Sequence, residues 1–76
     1  MLKIKDSIDL KELEKFGFDK TKMYFNKKLV DVYDTEDGDL TIRCDNRRLI
    51  CYSMVYDLLF DLIVSGLVEK VGGESE

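Results

Sequence analysis

The spacing of hydrophobic positions changes along this chain, and each change predicts an element. Leu2 and Ile4 alternate with Lys3 and Lys5, the pattern of a half-buried strand. Leu10, Leu13 and Phe16 then recur at helical spacing, with Lys11, Glu12, Glu14 and Lys15 on other faces. Asp9 lies three residues before Glu12, the spacing of a capping box in which each side chain takes the other residue's free backbone N–H. Ile8 ahead of the cap and Leu13 beyond it fit a hydrophobic staple. Gly17 enters the left-handed conformation without a Cβ clash, so a helix is predicted over Leu10–Phe16.

From Lys22 the period becomes two. A strand is predicted over 22–26, a turn near Asn26–Lys28, and a second strand over 28–34. Val30 and Val32 point one way, and Leu29, Asp31 and Tyr33 the other. Asp37-Gly38 predicts a tight hairpin. In 40–44, Leu40, Ile42 and Cys44 share a face opposite Thr41 and Arg43. The polar run 45–48 turns the chain into a short strand over 49–52.

The most apolar stretch follows. Ser53 is the predicted N-cap of a longer helix and Gly66 its stop. Val55, Tyr56, Leu58, Leu59, Leu62 and Ile63 form one broad apolar face, with Asp57, Asp61 and Ser65 opposite. Met54, Phe60 and Val64 flank that polar stripe, where solvent is expected. Residues 67–71 read as a closing strand and 72–76 as a frayed, flexible tail. The expectation is a single α+β domain over 1–71. A small antiparallel meander sheet carries one short N-terminal helix and one longer C-terminal helix packed on it.

Composition narrows the functional classes. A 76-residue chain is one domain and buries only about 60% of its unfolded surface. Residues 1–30 hold eight Lys against five acids, and residues 31–76 hold four basic residues against eleven acids. A basic first part therefore precedes an acidic second part within a net charge of −4. No histidine is present, which excludes Ser-His and Cys-His catalysis and leaves no zinc set around Cys44 and Cys51. Two reduced, partly buried thiols are expected. No signal sequence or membrane span is read, since Asp57 and Asp61 interrupt the longest apolar run. A cytoplasmic, reducing setting follows as an expectation.

Chemistry-bearing motifs are few. Around Gly38 the first and twelfth positions of a calcium loop hold Tyr33 and Cys44, so no calcium ligand set forms. Asp57 and Asp61 lie one helical turn apart, but two acids at that spacing ordinarily keep a helix face wet. No catalytic, metal or cofactor site is predicted. Lys20, Lys22, Lys27 and Lys28 bracket Tyr24 and Phe25, a pattern suited to phosphates and a stacking base. Alternation would turn one of the two aromatics inward, and the acidic remainder repels a polyanion. This segment is therefore the alternative reading rather than the first.

The stretches "DLKELEKFGF" and "DLLFDLIVSGLVEKV" resemble short proteins of phages and prophages of Gram-positive bacteria. The likeness covers both ends of the chain, and its motifs are a cap, a stop and apolar faces. It implies an accessory protein in a bacterial cytoplasm and carries no catalytic residue. Together these readings favour a non-enzymatic protein that acts by protein–protein interaction, with a partner or with a second copy. Met54, Asp57, Phe60, Asp61 and Val64 are the expected contact surface, an apolar patch rimmed by acids.

Overall fold

The computed structural model describes residues 1–52 and 56–71. The fold is α+β, built from antiparallel strands with two helical segments. In chain order the elements are β1 (Leu2–Ile4), a 3-10 helix η1 (Leu10–Phe16), β2 (Asp19–Phe25), β3 (Lys28–Asp34), β4 (Leu40–Arg43), β5 (Leu49–Cys51), α1 (Tyr56–Val64) and β6 (Val68–Lys70). The predicted Ser53 cap, Met54, Val55 and the 72–76 tail lie outside the described residues.

The strands form two sheets rather than one. β2-β3-β4-β5 is a four-stranded meander, and β1 pairs with β6 in a separate two-stranded sheet. Pairing of β1 with β5 is limited to one bridge, Lys3 to Arg48, beside the bond from Ile4 N–H to the Arg47 carbonyl at 2.8 Å.

Each turn is set by its residues. Asn26 and Lys27 both take positive φ, 51° and 67°, the conformation of a type I′ turn that closes β2 on β3 with two residues. The β3–β4 connection is longer than the tight hairpin expected at Asp37-Gly38. Thr35–Asp39 form a loop in which Thr35 accepts from Gly38 N–H through its carbonyl and from Asp39 N–H through its hydroxyl. Gly17 ends η1 in the left-handed region, with its N–H on the Glu14 carbonyl. Asp9 caps η1, but its carboxylate accepts from Lys11 N–H at 3.0 Å. The reciprocal box with Glu12 is not made. The tighter 3-10 winding brings the Glu12 N–H to the Asp9 carbonyl instead, and the Glu12 carboxylate pairs with Lys15.

The core lies on one face of the meander. Tyr33, Leu40, Ile42 and Leu49 pack there with Ile4, Leu13, Phe18, Leu62 and Leu67. Thus β1, η1, α1 and the segment leading into β6 all send a side chain to the same cluster. The other face is not simply solvated. Val30, Val32 and Thr41 are buried there beside the half-buried Met23, Phe25 and Ile50. Val32 and Tyr33 are therefore both buried, on the opposite faces that the alternation of this strand gives them.

Among the described side chains, α1 departs from the predicted wheel at one position. Leu62 is fully buried and Leu58 and Leu59 pack partly on the core, but Ile63 is exposed. Gly66 turns the chain away after the helix, with Leu67 N–H bonded to the Leu62 carbonyl. That places the buried contact on Leu62 and Leu67 and leaves Ile63 outside.

Candidate functional site

Two surfaces gather the residues singled out in the sequence. The first is the outward side of α1. Phe60, Ile63 and Val64 are 64%, 47% and 66% exposed. Positions three and four apart are neighbours on a helix, so these three side chains adjoin. One groove here is lined by Asp57, Leu59, Phe60 and Ile63. A second is lined by Met1, Leu2, Leu49, Cys51 and Leu59. They meet at Leu59, which extends the apolar surface from the helix across the β1 and β5 ends. Asp57 and Asp61 are exposed, and neither has an ion pair among the described residues. Of the five residues expected to form a contact surface, Asp57, Phe60, Asp61 and Val64 lie on this helix, joined by Ile63.

The second surface is the β2–β3 hairpin. The six residues of the basic segment divide between its two faces. Lys20, Lys22 and Tyr24 are paired with Tyr33, Asp31 and Leu29, so they share the face that continues into the core. Tyr24 is 73% exposed and Leu29 48% exposed where the hairpin extends past the core. Phe25 and Lys28 pair on the opposite face, and Lys27 sits in the turn. Lys22 is held by Asp31 at 3.3 Å.

Phe25 is occupied from within the protein. The Arg43 guanidinium lies over its ring, 4.5 Å from the centroid. The same guanidinium forks onto Asp45 through Nε at 2.9 Å and Nη2 at 2.6 Å. That hydrogen bond holds the Asp45 carboxyl below its ordinary pKa and raises that of Arg43. One face of the ring is thus taken within the protein, and the charge of Arg43 is matched.

Arg47 has a structural role that no periodic pattern marks. Its backbone sits at φ 63°, and its side chain donates to the Lys5 and Ile8 carbonyls at 2.9 and 2.6 Å. The turn carries an Asx bond, from Arg48 N–H to the Asn46 side-chain carbonyl at 2.9 Å, which marks the turn but not the role of the left-handed arginine inside it.

The cysteines are free thiols, with Cys44 half-buried and Cys51 exposed, against the expectation that both are partly buried. Burial pushes the Cys44 thiol above its ordinary pKa. Among the described residues no helix is long and apolar enough to cross a membrane, and no group of three or more acidic, Cys or His residues is arranged to hold a metal. Comparison with protein-family models, with curated proteins and with solved structures returns no match to this chain.

Proposed function

We propose that this chain is a non-enzymatic interaction module that docks a protein partner on the outward side of α1. The observation that carries the reading is the exposure of Phe60, Ile63 and Val64 together on one nine-residue helix. An exposed ring with aliphatic neighbours is the usual centre of a contact, and water-accessible charges form its rim. Here the rim charges are Asp57 and Asp61. A partner with an apolar pocket bordered by Lys or Arg complements them. A second copy, packed through the same patch, would bring two more aspartates against these two. Charge therefore favours a different protein over self-association. The resemblance to short phage and prophage proteins would make that partner a bacterial cytoplasmic protein.

The test compares the wild-type chain with Phe60→Lys, immobilised at equal density and exposed to a bacterial extract. The circular dichroism spectrum of Phe60→Lys stays that of a folded protein, because the side chain already meets solvent. A protein retained by the wild type and lost from Phe60→Lys, then rebound as a purified protein, supports the reading. Equal retention by both rejects it. Sedimentation that shows a wild-type dimer dissolved by Phe60→Lys would assign the patch to self-association instead.

A further inference from the structure

β2 is an edge strand, because the meander runs β2-β3-β4-β5 and β3 lies on only one side of it. The phase of its hydrogen bonds follows from the turn. In a two-residue type I′ hairpin the closing pair exchanges both backbone bonds, and here that pair is Phe25 and Lys28. Bonded pairs then recur at Met23–Val30, Thr21–Val32 and Asp19–Asp34. The intervening residues, Lys20, Lys22 and Tyr24, direct their backbone N–H and C=O away from β3. No other backbone group among the described residues bonds them. The same three residues present exposed side chains on one face.

We infer that the β2 edge accepts an extended acidic peptide segment as an added antiparallel strand, bonded to the main chain of Lys20, Lys22 and Tyr24. This inference concerns a different surface from α1 and does not rest on that reading. Strand addition takes its affinity from main-chain bonds and its selectivity from alternate side chains. The partner positions opposite Lys20 and Lys22 call for carboxylates. The position opposite Tyr24 calls for an apolar residue that packs on its exposed ring. Lys20 has no ion pair among the described residues.

Edge lysines also deter sheet-to-sheet aggregation, and the deterrent is selective. Two copies paired along the whole edge would set Lys22 against Lys22 and repel. An acidic strand meets no such barrier. A nucleic acid has no use for the open main chain and finds one face of Phe25 already under Arg43.

The experiment titrates the isotope-labelled full chain with the synthetic peptide TVTETET and follows each amide by NMR. Run antiparallel, this peptide places Val opposite Tyr24 and Glu opposite Lys22 and Lys20. The amides of Lys20, Lys22 and Tyr24 are expected to shift saturably, in the range of about 1 mM. Those of Thr21 and Met23, turned toward β3, shift less. N-methylation of the two Glu residues abolishes binding, because the edge carbonyls lose their donors. Lys20→Glu weakens TVTETET about tenfold and improves binding of TVTKTKT. Absence of a saturable shift, or equal binding of the N-methylated peptide, overturns the inference. So does tighter binding of a twelve-nucleotide oligo-dT that weakens steeply with salt, which would give the face to nucleic acid.

Discussion

The Arg47 guanidinium donates to the Ile8 carbonyl at 2.6 Å, joining the β4–β5 turn to the connection between β1 and η1. It also donates to the Lys5 carbonyl, and the Arg47 carbonyl accepts from Ile4 N–H. Side chain and main chain thus fasten the two sheets at one residue. Arg47→Met keeps the aliphatic stem and removes both side-chain bonds. It should lower the unfolding free energy by about 2 kcal/mol, read from the urea midpoint. Both bonds come from Nη1, and Arg47→Lys should recover only part of the loss, since the shorter lysine stem does not carry its ammonium to the position of that nitrogen. Equal stability of all three proteins would remove Arg47 from this role.

Asp45 gives the stability a pH dependence of known sign. Its carboxyl is held below the ordinary value, first by the hydrogen bond from Arg43. A group depressed in the folded state contributes above its unfolded pKa of about 3.9 and loses that contribution as pH falls through the folded value. Asp45→Asn should therefore melt below the wild type at pH 7. The two melting temperatures should converge in the acid range, below the folded value. Asp45 is exposed and Arg43 half-buried, so solvent screens the pair in part, and the difference is small and shrinks with added salt. A gap that stays constant from pH 7 to pH 2 would show that Asp45 acts other than through its charge.

Leu62 and Ile63 are neighbours in sequence with opposite surroundings. Leu62→Asp puts a carboxylate into the shared core and should unfold a chain whose stability is on the order of 4–10 kcal/mol. Ile63→Asp should leave the melting temperature within a few degrees, as surface changes ordinarily do. Thermal unfolding of the two variants checks the phase of α1 directly.

The two thiols should react at separate rates. Cys51 is exposed, whereas Cys44 is half-buried with its pKa pushed up by burial. The thiolate is the reactive form, so a disulfide reagent near neutral pH should modify Cys51 first. Cys44 should follow slowly and catch up only in denaturant. A single rate for both thiols in the folded protein would contradict the placement of Cys44.

Gly17→Ala isolates a backbone cost. Gly17 has φ 91°, and no atom lies within 4 Å of where a Cβ would stand. The penalty is that of an alanine in the left-handed region, roughly 1–2 kcal/mol, with no steric clash added. Urea unfolding measures it. A larger loss would mean that the substitution also disturbs the Phe18 contact.

The positions of the strands were legible because Leu40 with Ile42, and Leu2 with Ile4, follow a period that depends only on adjacent residues. The ends of η1 were legible for the same reason, in Asp9 and Gly17. Its 3-10 winding was not, since the apolar spacing Leu10-Leu13-Phe16 suits three residues per turn and an α-helix alike. Alternation put Tyr33 opposite Val32 but could not say that both are buried, because it does not register a sheet covered on both faces. Ile63 read as inward because a wheel gives relative angles and not the side on which the core lies. The partition into two sheets depends on Arg47 and on contacts between distant residues, which no local pattern encodes. Of the expected contact surface, Phe60 and Val64 were found as apolar positions beside a polar stripe. The β2 edge was not, because an unpaired strand is defined by what fails to lie beside it.

The pairing of β1 with β6 joins Leu2 to Lys70 and Ile4 to Val68, with Val71 N–H bonded to the Met1 carbonyl. During synthesis β1 emerges well before β6 and must therefore wait for residues 68–71 before it can pair. Until then Ile4 lacks Leu67 as a core neighbour, and β1 has only its single bridge toward β5. The meander can close from local contacts while the rest stays open, so completion of the fold is a late and slow event. It also brings residues 2 and 70 together only in the finished molecule, which makes a dye pair at those positions a direct clock for it.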